Sequence, residues 1–235
     1  MSFILVTRPI EEAQATAAAL AALGHRPLLA PMLAITPLAF AWPDGPFDRL
    51  IVTSGNALAV LAGRPEAERL KALPLAVVGR RTGAAARALG FADVTVAGRD
   101  VAGLLAHARQ AWPPGQRVLY LAGADHTMDL AAALAPEGHH VAVLLVYEAV
   151  AAQRLPEPAA LALAAGSVDA VLHYSARTAQ AFVACCEGVV ELARARPRHL
   201  CLSARVADVL QSAGALSIAV AAGPEEAALF ALIGG

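Results

Sequence analysis

The chain has 235 residues, enough for one large domain or two of about 100 to 120 residues each. A formal charge of −1 gives no overall field to steer it to nucleic acid or to an anionic membrane, so any polyanionic ligand must be held by local groups. Apolar residues make up 58% of it, yet no apolar run approaches the ~20 residues that cross a bilayer; the three cysteines, two of them adjacent, make no disulfide framework and fit a reducing cytoplasm.

Phe3-Ile-Leu-Val6 is a continuous apolar run, the pattern of a strand buried on both faces. With no basic region ahead of it, it reads as a first strand and not as a signal peptide. Thr7-Arg-Pro9 turns the chain into a helix with Glu11 and Glu12 in its first turn and Gly24 at its end. A second extended stretch over 28–35 is broken by Pro31. Residues 37–46, with three prolines and a glycine, read as a connector.

Leu50-Ile-Val52 is the next strand, Ser54-Gly-Asn56 its turn, and a helix follows to about Gly63. Then come a strand at 75–78, a helix at 80–89, a strand at 94–96 and a helix at 101–111. A strand at 118–121, a turn at 122–125, a helix to about Ala135 and a long strand from Val141 to Tyr147 complete the middle of the chain. Residues 153–159 read as a second Pro-rich crossing point. From Asp169 the pattern of strand, Ser-bearing turn, helix, strand, turn and helix returns, ending in a helix from about Glu225 to Ile233.

That return is a repeat. Asp48 and Asp169 stand 121 residues apart, as do Ser54 and Ser175; Gly90 and Gly214 stand 124 apart, as do Arg81 and Arg205. The chain therefore alternates a short βαβ unit (about 3–36, then 117–150) with a longer βαβαβα unit (48–111, then 169–233). Such alternation predicts parallel sheets covered on both faces, in two similar α/β lobes facing across a cleft. Pattern alone pairs each short unit with its neighbour; the two Pro-rich connectors suit a swap, in which both termini build one discontinuous lobe.

In parallel sheets ligands sit at the carboxyl ends of the strands. Those ends are Thr7-Arg8, Thr53-Ser54-Gly55-Asn56, Gly79-Arg80-Arg81-Thr82, Ala122-Gly123-Ala124, Tyr174-Ser175-Ala176-Arg177 and Ser203-Ala204-Arg205. Helix starts with free N–H groups, small hydroxyls and glycine suit carboxylates or phosphates. The same Ser and Asn types also serve as plain helix caps, and Arg177 and Arg205 serve equally as solvated helix residues. No phosphate loop, dinucleotide fingerprint, nucleophile elbow or His-Glu-x-x-His is present. His139-His140 straddles opposite faces of a strand start, Cys185-Cys186 falls late in a helix, and His173 reads as a packed core histidine. Asp125, His126 and Asp129 read as a solvated cap. Tyr147, at the end of its strand, is either a cover for the connector or a donor to a leaving group.

These residues together resemble the uroporphyrinogen-III synthase family over nearly the whole chain. The resemblance rests on Val6-Thr-Arg-Pro9, Ala22-Leu-Gly24, Pro31 and Pro37, Val52-Thr-Ser54, Val78-Gly79 with Thr82, Gly115-Gln-Arg-Val-Leu-Tyr-Leu with Gly123, Val146-Tyr147, Asp169 to Ser175, and Gly214 to Pro224. It implies two flavodoxin-like lobes joined by a two-stranded linker: 1–36 with 153–235 as the discontinuous lobe, 47–146 as the central one, and 37–46 and 147–152 as linkers.

It further implies a carbon–oxygen lyase, a cyclising hydro-lyase. Such an enzyme closes hydroxymethylbilane into uroporphyrinogen III with inversion of the terminal pyrrole ring and loss of water. No cofactor and no metal are expected. The chain is expected to be a cytoplasmic monomer that takes its substrate from the preceding pathway enzyme. Tyr147 is the catalytic candidate. Thr7, Arg8, Ser54, Asn56, Gly79, Arg81, Thr82, Gly123, Ser175, Ala176, Arg177 and Ser203 are the substrate-binding candidates. The late copy departs from the family pattern, with Tyr174 for a usual Thr, Ser175-Ala for a common Ser-Pro, and Arg205-Val206 where a Thr is frequent. The rival reading is a non-enzymatic two-lobed binding protein for a small polyanion.

Overall fold

The computed structural model of the chain describes residues 1–126, 128–186 and 197–234. Cα proximity divides the chain into two compact units: Met1–Ala34 with Val150–Gly235, here the terminal unit, and Ile35–Ala149, the central unit. The chain passes from one to the other within strand β3 (Leu33–Pro37) and returns within β8 (His140–Ala151).

The terminal unit is built on β1 (Phe3–Val6), β2 (Arg26–Leu29), β9 (Ala170–His173), β10 (Arg198–Cys201) and β11 (Ile218–Val220). They lie in the order β11-β10-β9-β1-β2, all parallel, with Ile4 opposite Ala170 and Cys201 opposite His173. In chain order this is the flavodoxin-like arrangement. Its helices among the described residues are α1 (Ile10–Ala22), α7 (Glu157–Ala164), α8 (Ala176–Cys185), α9 (Ala204–Ser212) and α10 (Glu226–Phe230).

Strand residues alternate between two cores because successive side chains of a strand point to opposite faces. Leu5, Val171 and Cys201 pack with Leu163, Ala179, Phe182, Val206 and Leu210. Ile4, Val6, Leu172 and Leu200 pack with Ala13, Leu20, Leu229 and Ile233. Sheets covered on both faces need strands that are apolar throughout, which is what Phe3-Ile-Leu-Val6 supplies.

The central unit holds β4 (Arg49–Val52), β5 (Leu75–Val77), β6 (Val94–Val96), β7 (Arg117–Gly123) and β8, in the order β8-β7-β4-β5-β6, all parallel. β3 lies at the β8 edge and runs antiparallel to it, since Leu38 N donates to Val146 O and Ala152 N to Met32 O. The helices are α2 (Gly55–Leu61), α3 (Pro65–Leu70), α4 (Arg80–Ala88), α5 (Val101–Ala111) and α6 (Leu130–Leu134). Leu50, Val52, Leu119 and Leu121 pack against Leu58, Leu61 and Leu70 on one face. Ile51, Val118 and Tyr120 pack against Leu104, Ala108 and Leu134 on the other.

The repeat in the sequence is thus a repeat in space. The series β4-β5-β6-β7-β8 occupies the positions of β9-β10-β11-β1-β2, entered at a different strand. In each sheet the connections diverge to opposite sides at one place, β7/β4 in the central unit and β1/β9 in the terminal one, and this divergence opens a mouth at the strand ends.

Three expectations need correction. Tyr147 does not end its strand: β8 continues to Ala151, because β3 pairs along it as far as Ala152 N. The stretch 153–159 is not all connector, since α7 begins at Glu157 behind Pro156. A helix, α3, stands at Pro65–Leu70 where none was read. In both missed helices the prolines sit in the first turn, where the absent N–H costs no helical hydrogen bond.

Candidate functional site

At the β7/β4 mouth of the central unit, Val52 leads into Thr53 and Ser54. Ser54 caps α2 by accepting from Asn56 N at 3.3 Å, which commits its hydroxyl locally. The Thr53 hydroxyl pairs with the Tyr120 phenol at 3.0 Å. Burial pushes the Tyr120 phenol above its ordinary pKa; the Thr53 hydrogen bond opposes this and the neighbouring Tyr147 adds to it. His126 stands edge-on to the Tyr120 ring and holds Gly123 O through Nδ1 at 3.0 Å.

Tyr147 lies across Gly123. A Cβ at Gly123 would stand 2.6 Å from Tyr147 Cζ and 2.8 Å from its hydroxyl oxygen, so only glycine admits the ring in this place. The register of β7 and β8 shifts between Ala122 and Gly123, which brings Gly123 opposite Tyr147, and Ala124 N donates to Tyr147 O at 2.8 Å. Among the described residues the half-buried Tyr147 hydroxyl has no hydrogen-bond partner. On the same sheet Gly79 starts α4 with a φ of 78°, a left-handed turn that suits glycine. Arg81 is exposed there, while Thr82 turns inward and is buried.

At the β1/β9 mouth of the terminal unit Thr7 is buried and donates to Leu172 O at 2.7 Å, tying β1 to β9. Arg8 reaches Glu12 through Nε (3.0 Å) and Nη2 (2.7 Å), and its Nη1 reaches Thr16 (3.2 Å) and Glu226 (2.9 Å). Its guanidinium lies 4.2 Å from the centre of the Tyr174 ring. Tyr174 and Thr16 both donate to Glu226 Oε1, at 2.7 and 2.6 Å.

Burial is the largest influence on Glu226 and pushes its carboxyl up. The hydrogen bonds from Thr16 and Tyr174 and the charge of Arg8 outweigh it and hold the carboxyl below its ordinary value. Burial and the bond to Glu226 push the Tyr174 phenol well up. Ser175 forms a capping box with Thr178, and Ala176 and Arg177 follow, half-buried, in the first turn of α8. Ser203 stands at the cap position of α9 without a side-chain capping bond, and it and Arg205 are exposed.

The other singled-out groups lie elsewhere. His173 is fully buried with Nε2 3.1 Å from His199 Nδ1 and packs against Phe182. His139 accepts from Gln116 N and meets Trp112 edge-on. Burial pushes the Cys201 thiol up to about 12, so it does not form the reactive thiolate near neutrality. No disulfide joins Cys185, Cys186 and Cys201, and among the described residues no group of three or more His, Cys, Asp or Glu is disposed to hold a metal ion.

The structure therefore brings Ser54, Asn56, Gly123 and Tyr147 to one mouth and Thr7, Arg8, Ser175, Ala176 and Arg177 to the other. The residues missed from sequence are Tyr120 in the first and Thr16 and Glu226 in the second; Thr53 and Tyr174 stand among the strand ends named from sequence, without the contacts they make. One signal was present: the chain has only three tyrosines, and all three stand at these mouths.

A family model described as uroporphyrinogen-III synthase HemD matches residues 14–231. Among solved structures, the uroporphyrinogen-III synthetase of Helicobacter pylori is similar at 19% identity and a TM-score of 0.68, with 99% of this chain and 98% of that one covered. A mutant uroporphyrinogen III synthase of the extremely thermophilic bacterium Thermus thermophilus is similar at 20% identity and a TM-score of 0.53, over 100% and 97% of the two chains. No curated protein sequence matches. No helix among the described residues is long and apolar enough to cross a membrane.

Proposed function

The chain belongs to the uroporphyrinogen-III synthase family, an enzyme family of haem biosynthesis, and we propose that it carries out the reaction for which that family is named. The substrate is hydroxymethylbilane, a linear tetrapyrrole, and the product is uroporphyrinogen III. The reaction is a cyclising elimination of water, which makes the enzyme a carbon–oxygen lyase. The match over residues 14–231 is the observation that carries this reading.

The chemistry asks mainly for positioning. The electron-rich pyrrole beside the hydroxymethyl group expels the hydroxyl, which leaves as water once protonated, and an azafulvene remains. The terminal ring attacks through its substituted carbon to give a spiro intermediate. That intermediate fragments at the original bridge and recloses through the other carbon, which inverts the ring. Holding the chain so that the substituted carbon attacks is a matter of orientation, not of a strong acid or base.

The substrate's carboxylates are held in this reading by helix starts and small side chains at the two mouths: Thr7, Arg8, Ser54, Asn56, Gly79, Arg81, Thr82, Gly123, Ser175, Ala176, Arg177 and Ser203. Tyr147 donates to the departing hydroxyl. Its phenol suits that task because its hydroxyl has no partner among the described residues and its ring is seated against Gly123. Incubation with freshly made hydroxymethylbilane followed by isomer analysis tests the activity. Uroporphyrinogen III is the expected product; the type I isomer alone, which forms without catalysis, would sink the reading.

A further inference from the structure

Three donors at the β1/β9 mouth meet on one oxygen. Arg8 Nη1, Thr16 Oγ1 and Tyr174 OH lie 2.9, 2.6 and 2.7 Å from Glu226 Oε1. Glu226 comes from the far end of the chain, on the five-residue helix α10, and its side chain is 36% exposed. Its other oxygen takes no hydrogen bond among the described residues. Charge-assisted donors converging on one oxygen are how proteins recognise a carboxylate, and a strand-end mouth is where parallel sheets bind their ligands.

We propose that Arg8, Thr16 and Tyr174 form a binding site for a carboxylate arm of the ligand, and that Glu226 fills this site until the ligand's carboxylate takes its place. Each donor has a contact other than Glu226. Arg8 is held from its other edge by Glu12 and lies over the Tyr174 ring, and Thr16 is buried on α1. Exchanging one carboxylate for another keeps every donor satisfied and leaves no charge buried unpaired, so neither state carries the penalty of a broken buried ion pair. The corresponding mouth of the central unit has Thr53 where this one has Tyr174. There the hydroxyl meets the Tyr120 phenol and no internal carboxylate.

The identity of the ligand rests on the synthase reading; the site itself does not, and two measurements separate them. The first is thermal unfolding of wild type, Glu226→Ala and Glu226→Gln in acetate or propionate, against chloride at equal ionic strength. The Ala variant should gain a few degrees in the carboxylates, the Gln variant less, and wild type nothing beyond chloride. Should Glu226→Ala not fold, Glu226→Gln carries the comparison. Equal behaviour in carboxylate and chloride for the folded variants would overturn the site.

The second measurement is KM for hydroxymethylbilane, which should fall several-fold in Glu226→Gln as the internal competitor weakens. An unchanged or higher KM in an active variant makes Glu226 a structural partner of Arg8 only. Absence of the type III isomer from wild type overturns the synthase reading alone and leaves the unfolding result to decide the site.

Discussion

The two sheets reach one strand arrangement from different starting strands, but their mouths are furnished differently. In the terminal unit the donors Arg8, Thr16 and Tyr174 are all engaged with Glu226, and the cation is shared with Glu12. In the central unit Thr53 and Tyr120 satisfy one another, while the Tyr147 hydroxyl has no partner among the described residues. A shared backbone thus fixes where a ligand can meet the protein, and the side chains decide whether that place holds charge or offers a proton. A mouth rich in balanced charge suits recognition. A mouth with an uncommitted phenol suits chemistry.

The largest effect that bears on this contrast is expected from Tyr147→Phe. If the phenol assists loss of the hydroxyl, kcat should fall about 100-fold, the lower end of what a positioned proton donor contributes, with KM nearly unchanged. Steady-state kinetics with isomer analysis measures both. A variant as fast as wild type would make Tyr147 a packing residue and remove the distinction drawn here. Gly123→Ala should act on the same group by displacement, since the added methyl falls 2.6 Å from the ring. A loss of about tenfold in kcat and of about 1–3 kcal/mol in stability is expected. Added to Tyr147→Phe, it should lower kcat little further, because residues acting as one unit are not additive. Full additivity would show that Gly123 serves something other than the tyrosine.

Much of this was legible in the sequence for a physical reason. Strands covered on both faces are apolar without a break and end abruptly in polar turns, so Val52-Thr53-Ser54 and His173-Tyr174-Ser175 announce their own carboxyl ends. The spacing between the two copies, 121 residues in the early part and 124 in the later, then marks the repeat. What stayed hidden depended on distance along the chain or on the double meaning of a residue. Glu226 is 218 positions from Arg8, and nothing local marks it as a partner. Tyr120 sits inside an apolar run and its phenol meets Thr53 only once β4 and β7 pair. Pro156 and Pro158 fall in a stretch that reads as a crossing point, yet both lie where a helix begins.

The smallest expected effect separates the interiors behind the mouths. The repeat places His173 at the position of Val52 and, by the later spacing, His199 at that of Leu75. One sheet therefore carries a buried imidazole pair where the other is aliphatic. Burial, and then the proximity of His199, hold His173 well below its ordinary pKa, and its Nδ1 has no partner among the described residues. Above about pH 6.5 the ring is neutral in both the folded and the unfolded chain and contributes no pH dependence. Below that value the unfolded chain takes up a proton that the folded chain refuses. Stability should then fall by about 1.4 kcal/mol per pH unit until the folded ring titrates in its turn. Denaturant unfolding between pH 7.5 and 5 measures the slope, and His173→Asn should flatten it. Hydrogen exchange over the same range should show the acid-induced opening in β9 and β10 before β4 and β5, since only the former pair shields an imidazole that is driven to accept a proton. Equal loosening of both sheets would mean that the acid response comes from groups common to the two units and not from the histidines that distinguish them.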